Sequence, residues 1–217
     1  MIYELSKSEY DVVVNKDIMV KMRDDVLLAT DLYRPAKDDG LTKERLSTIL
    51  LRTPYNKEDT HGFSLMNDWF CKRGYNVVIQ DFRGRYKSEG IFYKYSKMGE
   101  DGYDTVEWIS KQKWSNGKIG TIGTSFLAHA QVAMACLNPP HLSTMIINQG
   151  GFSNAFLSSC RHNGAFELRQ MSWAFTQGSN SKEARKERKQ NKLLQVRTFK
   201  QHFRDSCKQN QQRIYTS

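Results

Sequence analysis

The sequence predicts an α/β fold, a mostly parallel sheet with helices on both faces. Three observations carry that reading. Short apolar runs alternate with stretches of helical spacing ten to twelve residues long. One of them, Ser47 to Leu51, is continuous rather than alternating, as a strand buried on both faces should be. A composition of 39% hydrophobic, 12% aromatic and 26% charged residues over 217 positions supports one cored domain with an appendage.

The elements follow in order. Met19 to Tyr33 reads as a β-hairpin, two alternating stretches flanking the polar turn Arg23-Asp24-Asp25. It is expected to form an antiparallel edge that stops at Arg34-Pro35, with a polar loop from Lys37 to Arg45. Ser47 to Leu51 is a buried strand ending at Arg52-Thr-Pro-Tyr55. Phe63 to Arg73 has helical spacing, and Gly74 closes it. Tyr75 to Gln80 is a strand, and Asp81 to Gly90 a loop. Asp101 to Gln112 is a helix, Lys118 to Gly123 a strand, Phe126 to Leu137 a helix and His141 to Ile147 a strand. From Asn148 to Ser181 no period is clear, and a basic tail follows.

One junction carries chemistry. In Gly120-Thr-Ile-Gly123-Thr-Ser125-Phe126-Leu-Ala128 a strand runs through Gly-x-Ser straight into a helix. A nucleophile elbow needs that context, because it lifts the serine hydroxyl above the sheet on a strained turn flanked by small residues. The Phe126 N–H, at the helix start, could then donate to an oxyanion. Leu127 breaks the plain G-x-S-x-G pattern, and Ala128 is the nearest small residue beyond the serine. A serine that merely caps the helix would look the same, so the spacing alone leaves both readings open. Similarly, Pro54-Tyr55 after a strand reads by itself as a turn with a packed ring.

The wider motif set resembles a known family. Trp114-Ser-Asn-Gly-Lys-Ile-Gly-Thr-Ile-Gly-Thr-Ser125-Phe resembles the elbow of the cocaine-esterase and X-Pro dipeptidyl-peptidase (CocE/NonD-type) α/β-hydrolases, W-x-[ND]-G-K-[VI]-G-x-x-G-x-S-Y. Met22 to Pro35 resembles their opening hairpin, Arg52 to Lys57 their R-x-P-Y-x-K loop, and Gln80 to Gly90 their Q-D-x-R-G-x-x-x-S-x-G segment. These ordered motifs span residues 10 to 180. Phe126 replaces the usual Tyr, and Ala128 stands where Gly is common.

The resemblance implies a serine hydrolase of esters or amides (acyl esters, α-amino-acid esters or X-Pro peptides) working through an acyl-enzyme on Ser125. It implies Tyr55 and the Phe126 N–H as oxyanion donors, with no cofactor or metal. Residues 1–150 are then a partial α/β-hydrolase core, 151–180 the start of a helical cap, and 181–217 a basic helical or disordered tail. Arg83 is expected to pair with a carboxylate and hold its loop beside the sheet. Trp108 and Trp114 are expected to pack in the core and at its rim.

A triad needs an acid and then a histidine after the nucleophile. Beyond Ser125, order allows only Glu167, Glu183 or Glu187 with His202, and none ends a plausible strand. The family places both residues on later strands, and from about Lys189 the resemblance dissolves. A truncated or frame-shifted reading of a longer hydrolase accounts for the break, and the chain by itself is expected to be inactive or weakly active. The alternative is a non-catalytic binding remnant.

Composition excludes other classes. The net charge of +10 concentrates in Ser181–Ser217, which holds 11 Lys/Arg against three acids and leaves the rest near neutral. Such a tail can bind phosphates, but a solvated helix face or disorder is its commoner role. With no DNA- or RNA-binding motif, nucleic acid is not the expected partner. No apolar run spans a membrane, Met1 to Tyr10 lacks a signal-type apolar stretch, and a cytoplasmic location is the default. Cys71 and Cys136 lie in apolar helical patterns and read as buried free thiols.

Overall fold

The computed structural model of the chain describes residues 6–37, 40–58, 63–150 and 168–178. The chain divides into two units, residues 1–153 and 154–217. In the first unit the elements are β1 (Asp11–Lys21), β2 (Leu27–Lys37), β3 (Gly40–Leu41), β4 (Leu46–Thr53), α1 (Phe63–Cys71), β5 (Asn76–Asp81), α2 (Met98–Ser110), β6 (Ser115–Thr124), α3 (Phe126–Ala135) and β7 (Leu142–Asn148). The second contributes one described helix, α4 (Leu168–Gly178). No helix among the described residues is long and apolar enough to cross a membrane.

One sheet runs β1-β2-β5-β4-β6-β7, with β3 pairing to β2. The pairs β5–β4, β4–β6 and β6–β7 are parallel, while β1–β2 and β2–β5 are antiparallel. β5 is buried throughout, and β4 nearly so, which matches their unbroken apolar runs. From β4 the chain steps to β5 on one side, then crosses to β6 and β7 on the other. Right-handed crossovers therefore put α1 on one face and α2 with α3 on the opposite face. Leu32, Leu50, Val78, Val106, Ile109, Ile119 and Met134 form the core between sheet and helices, and Trp108 and Trp114, edge to face with each other, pack against it.

Several boundaries differ from the sequence reading. β2 continues through Pro35 to Lys37. Its pairing to β5 ends at Tyr33, so Pro35 lies where no central ladder needs its missing N–H, and its carbonyl accepts from Thr42. Part of the expected Lys37–Arg45 loop pairs with β2 as β3. α4 lies in a stretch whose sequence shows no clear period. It is three turns long, with no acid in its first turn and no base in its last to mark its ends. Cys136 is exposed rather than buried, because α3 stops just before it. Cys71 is buried, and burial first and Asp68 second push its thiol up to about 12.

Candidate active site

β6 ends at Thr124 and α3 starts at Phe126, so Ser125 makes the turn alone. It does so at φ 57° and ψ −114°, a conformation L-residues rarely adopt, with its side chain exposed. That side chain makes no capping hydrogen bond, so the helix-cap reading of this serine finds no support. The Ser125 N–H donates to the Asn148 carbonyl at 2.9 Å, and its own carbonyl accepts from Ala128 and His129. The turn is thus tied to the end of β7 on one side and to the first turn of α3 on the other.

Gly123 is needed because a Cβ there would lie 2.5 Å from the Leu127 Cβ and 3.1 Å from its carbonyl carbon. Leu127 is therefore no defect of the motif. Its buried side chain fills the space that the missing Cβ leaves. Behind it, the buried Gln131 accepts from Thr121 Oγ1 at 2.7 Å and donates to the carbonyls of Gly123, Leu127 and Ile146. One amide side chain thereby joins β6, α3 and β7 beneath the serine. Sequence reasoning misses it, because nothing but the fold brings its four partners together.

Tyr55 follows β4, the parallel neighbour of β6, with Thr48, Ile49 and Leu50 opposite Ile119, Gly120 and Thr121. Ser125 and Tyr55 therefore lie just past the carboxyl ends of adjacent strands, at the point where the strand order reverses. Open α/β sheets bind their ligands in that crevice. Tyr55 is half-buried, and its N–H donates to Thr53 Oγ1 at 3.0 Å. Arg85, fully buried, donates Nε to the Pro54 carbonyl at 2.9 Å.

Two residues on, the Lys57 ammonium is wholly buried and sits 2.6 Å from both Asp17 Oδ1 and Asp31 Oδ1. Its backbone N–H donates to Asp81 Oδ1 at 2.8 Å. Burial pulls the ammonium pKa down, but the hydrogen bonds it donates to the two carboxylates outweigh that, and the group stands above an ordinary lysine. Burial pushes the Asp81 carboxyl up to about 6 against the opposing Lys57 contacts.

The loop after β5 is braced in the same way. Arg83 makes paired contacts to Asp101 (2.6 and 3.1 Å) and to Asp24 (2.8 and 2.9 Å), so it holds the loop as expected. Hydrogen bonds to Asp101 lead the causes that raise its pKa. Gly84 adopts φ +68°, and a Cβ there would meet the Phe92 amide nitrogen at 2.2 Å. Ser88 Oγ donates to the Asp81 carbonyl and accepts from the Ala29 N–H. Phe82 and Tyr95 pack on the Phe126 ring at 5.8 and 5.2 Å.

His129 and His141 are the histidines among the described residues. His129 lies one turn into α3 against the edge of Tyr95, and burial followed by Lys94 holds its pKa below the ordinary value. His141 contacts the Gly117 carbonyl at 3.2 Å, at the opposite end of the sheet from Ser125. The expected pairings of Glu167, Glu183 or Glu187 with His202 lie outside the described residues, as does the tail from Ser181. Among the described residues no cluster of three or more His, Cys, Asp or Glu could hold a metal.

A largely parallel sheet of this order, with a strained serine turn at its reversal point, defines the α/β-hydrolase class. Residues 24–216 match the family described as X-Pro dipeptidyl-peptidase (S15 family), and the chain belongs to that family of hydrolases. The match continues past Lys189, where the motif-by-motif resemblance ends.

Three relatives illustrate it. Cocaine esterase of Rhodococcus sp. (strain MB1 Bresler) is 41% identical over 121 residues, covering 54% of this chain and 20% of that protein. Dipeptidyl aminopeptidase BIII of Pseudoxanthomonas mexicana is 26% identical over 154 residues, covering 59% and 22%. A solved α-amino acid ester hydrolase superposes with TM-score 0.63 at 27% identity, covering 83% of this chain and 32% of that one. The chain thus spans about a fifth of the curated relatives it matches.

Proposed function

We propose that Ser125 is the nucleophile of a serine hydrolase that cleaves esters or amides through an acyl-enzyme. The observation that carries this reading is the Ser125 turn itself: an exposed hydroxyl on a positive-φ residue between a central parallel strand and its helix, with Gly123 making room. Strain of this kind persists only where the surroundings impose it, and it clusters at reactive sites.

In this reading Ser125 Oγ attacks the acyl carbon and gives its proton to a histidine that chain order places after Ser125. The carbonyl oxygen, now an oxyanion, accepts hydrogen bonds from the Tyr55 hydroxyl and the Phe126 N–H. The leaving alcohol or amine takes the proton, and water then releases the acyl group by the same steps. A phenol with an ordinary pKa near 10 remains a donor at neutral pH. The substrates are acyl esters, α-amino-acid esters or X-Pro peptides, a range supported by relatives named as an esterase, a dipeptidyl aminopeptidase and an amino-acid ester hydrolase. The free thiols Cys71 and Cys136 support a reducing, cytoplasmic setting.

Neither histidine among the described residues is placed as the base of this scheme. A fluorophosphonate probe tests the assignment. Labelling should be confined to Ser125 and abolished in Ser125→Ala. Tyr55→Phe should slow it by on the order of 100-fold or more, the usual cost of one oxyanion donor. Labelling that survives Ser125→Ala would overturn the nucleophile. No labelling at all would favour a binding remnant.

A further inference from the structure

We propose that Lys57 is a positioning residue for Tyr55: its buried ammonium fixes the loop that presents the phenol to the crevice. The inference rests on the oxyanion-donor reading of Tyr55 and adds what holds that donor in place.

Three strands send carboxylates toward this one loop residue: Asp17 from β1, Asp31 from β2 and Asp81 from β5. β1 departs from regular pairing to do so. Its register shifts between Asn15 and Ile18, Asp17 takes φ 58°, and its N–H donates to Asp31 Oδ1 at 2.9 Å. Lys87 ties the outer side, contacting Asp17 Oδ2 at 2.6 Å and Glu58 Oε1 at 2.7 Å.

Stability alone does not account for this arrangement. A buried ion pair costs much of its attraction in desolvation, and an apolar residue of similar size often holds a core as well or better. An ammonium with two carboxylates at fixed distances supplies direction. The residue two positions from Tyr55 can sit in only one place, although Asn56 between them takes a strained φ of 90°. On the other side, Arg85 fixes the Pro54 carbonyl. Tyr55 is thus held from both flanks, through buried cations that anchor its neighbours in the chain. A donor aimed at a developing charge needs that precision, since small misplacements cost rate.

The test uses the full chain carrying 3-fluorotyrosine, with the Tyr55 19F resonance assigned by its loss in Tyr55→Phe. The wild type should show one sharp, displaced Tyr55 line. In Lys57→Met that line should broaden or move toward the free amino acid while the Tyr103 line stays put. Lys57→Arg, which keeps the cation, should restore most of the displacement. Asp17→Asn, at a carboxylate 41% exposed, should give a smaller change in the same direction. A Tyr55 line unmoved in both Lys57→Met and Asp17→Asn would overturn the proposal. Should Lys57→Met lose the Tyr103 dispersion and not fold, Asp17→Asn alone decides. The resonance does not depend on Ser125 chemistry, so it separates failure of this proposal from failure of the nucleophile assignment. Where labelling occurs, Lys57→Met should slow it at least tenfold, with no further loss in the Tyr55→Phe background. Additive losses would count against the proposal.

Discussion

Asp81→Asn isolates the electrostatic cost of the rim that holds Tyr55. Asp81 ends β5 with no exposure to solvent, and its Oδ1 accepts from the Lys57 N–H at 2.8 Å. Burial raises its carboxyl from 3.8 to about 6, although the Lys57 N–H and ammonium oppose the shift. Well below pH 3.8 the folded and unfolded chains both hold the proton, and the site costs nothing. As pH rises through 6 the folded chain must ionise a group the unfolded chain has already ionised, and stability is lost. At about 1.4 kcal/mol per pKa unit, the loss is on the order of 3 kcal/mol by pH 7. Asparagine keeps an acceptor for the Lys57 N–H and never ionises. The other titrating groups are common to both proteins and cancel in the difference between them.

Urea unfolding followed by tryptophan fluorescence at pH 4, 5, 6 and 7 measures that difference. The variant should gain on the wild type with rising pH, with most of the change between pH 4 and 7. A difference flat to within about 0.5 kcal/mol across that range would refute the reasoning, because the Lys57 contacts would then have cancelled the burial cost. A gap that closes as pH rises would reverse the sign and show that Asp81 is stabilised as the anion.

Two further outcomes test the turn and the core. Gly123→Ala puts a methyl 2.5 Å from the Leu127 Cβ, which cannot move without shifting α3, so a loss of about 1–3 kcal/mol in denaturant unfolding is expected. A neutral result would mean that the turn has room to relax. Cys71, with its thiol pushed up to about 12, should resist iodoacetamide at pH 8 in the folded chain, whereas the exposed Cys136 reacts. Site-resolved mass spectrometry showing equal alkylation of the two would contradict the burial of Cys71.

The parallel sheet is legible in the sequence because its signal is local. Apolar runs at β4 and β5 need no partner to be recognised, and Gly74 marks its helix end through its own φ of +85°. The serine turn is legible in part, since Gly123 and Ser125 stand two apart and the clash that Gly123 avoids is with the very next turn. Tyr55 is not legible from its surroundings. Only the motif resemblance singles it out, because what places it beside β6 is a strand pairing across some seventy residues of chain. Pro35 and α4 mislead for the same reason in reverse. Local rules say stop or say nothing, and pairing to β1 and β3 or three short turns decide otherwise.

The charged motif residues have one physical explanation that their spacing hides. Asp24, Asp31, Lys57, Asp81, Arg83 and Asp101 are spread along the chain from the N-terminal hairpin to α2, and spacing alone does not show which of them meet. In space, together with Asp17, they form two sets, Lys57 with Asp17, Asp31 and Asp81, and Arg83 with Asp24 and Asp101. Each set fastens one loop to the same end of the sheet. Hydrophobic contacts cannot do this at a rim, where one side faces water and packing has no direction. Oriented ion pairs can, provided most of their groups are buried enough to escape screening. These ion pairs therefore make the loops beside the crevice rigid, while the serine turn is braced by backbone hydrogen bonds, the amide of Gln131 and the rings packed on Phe126.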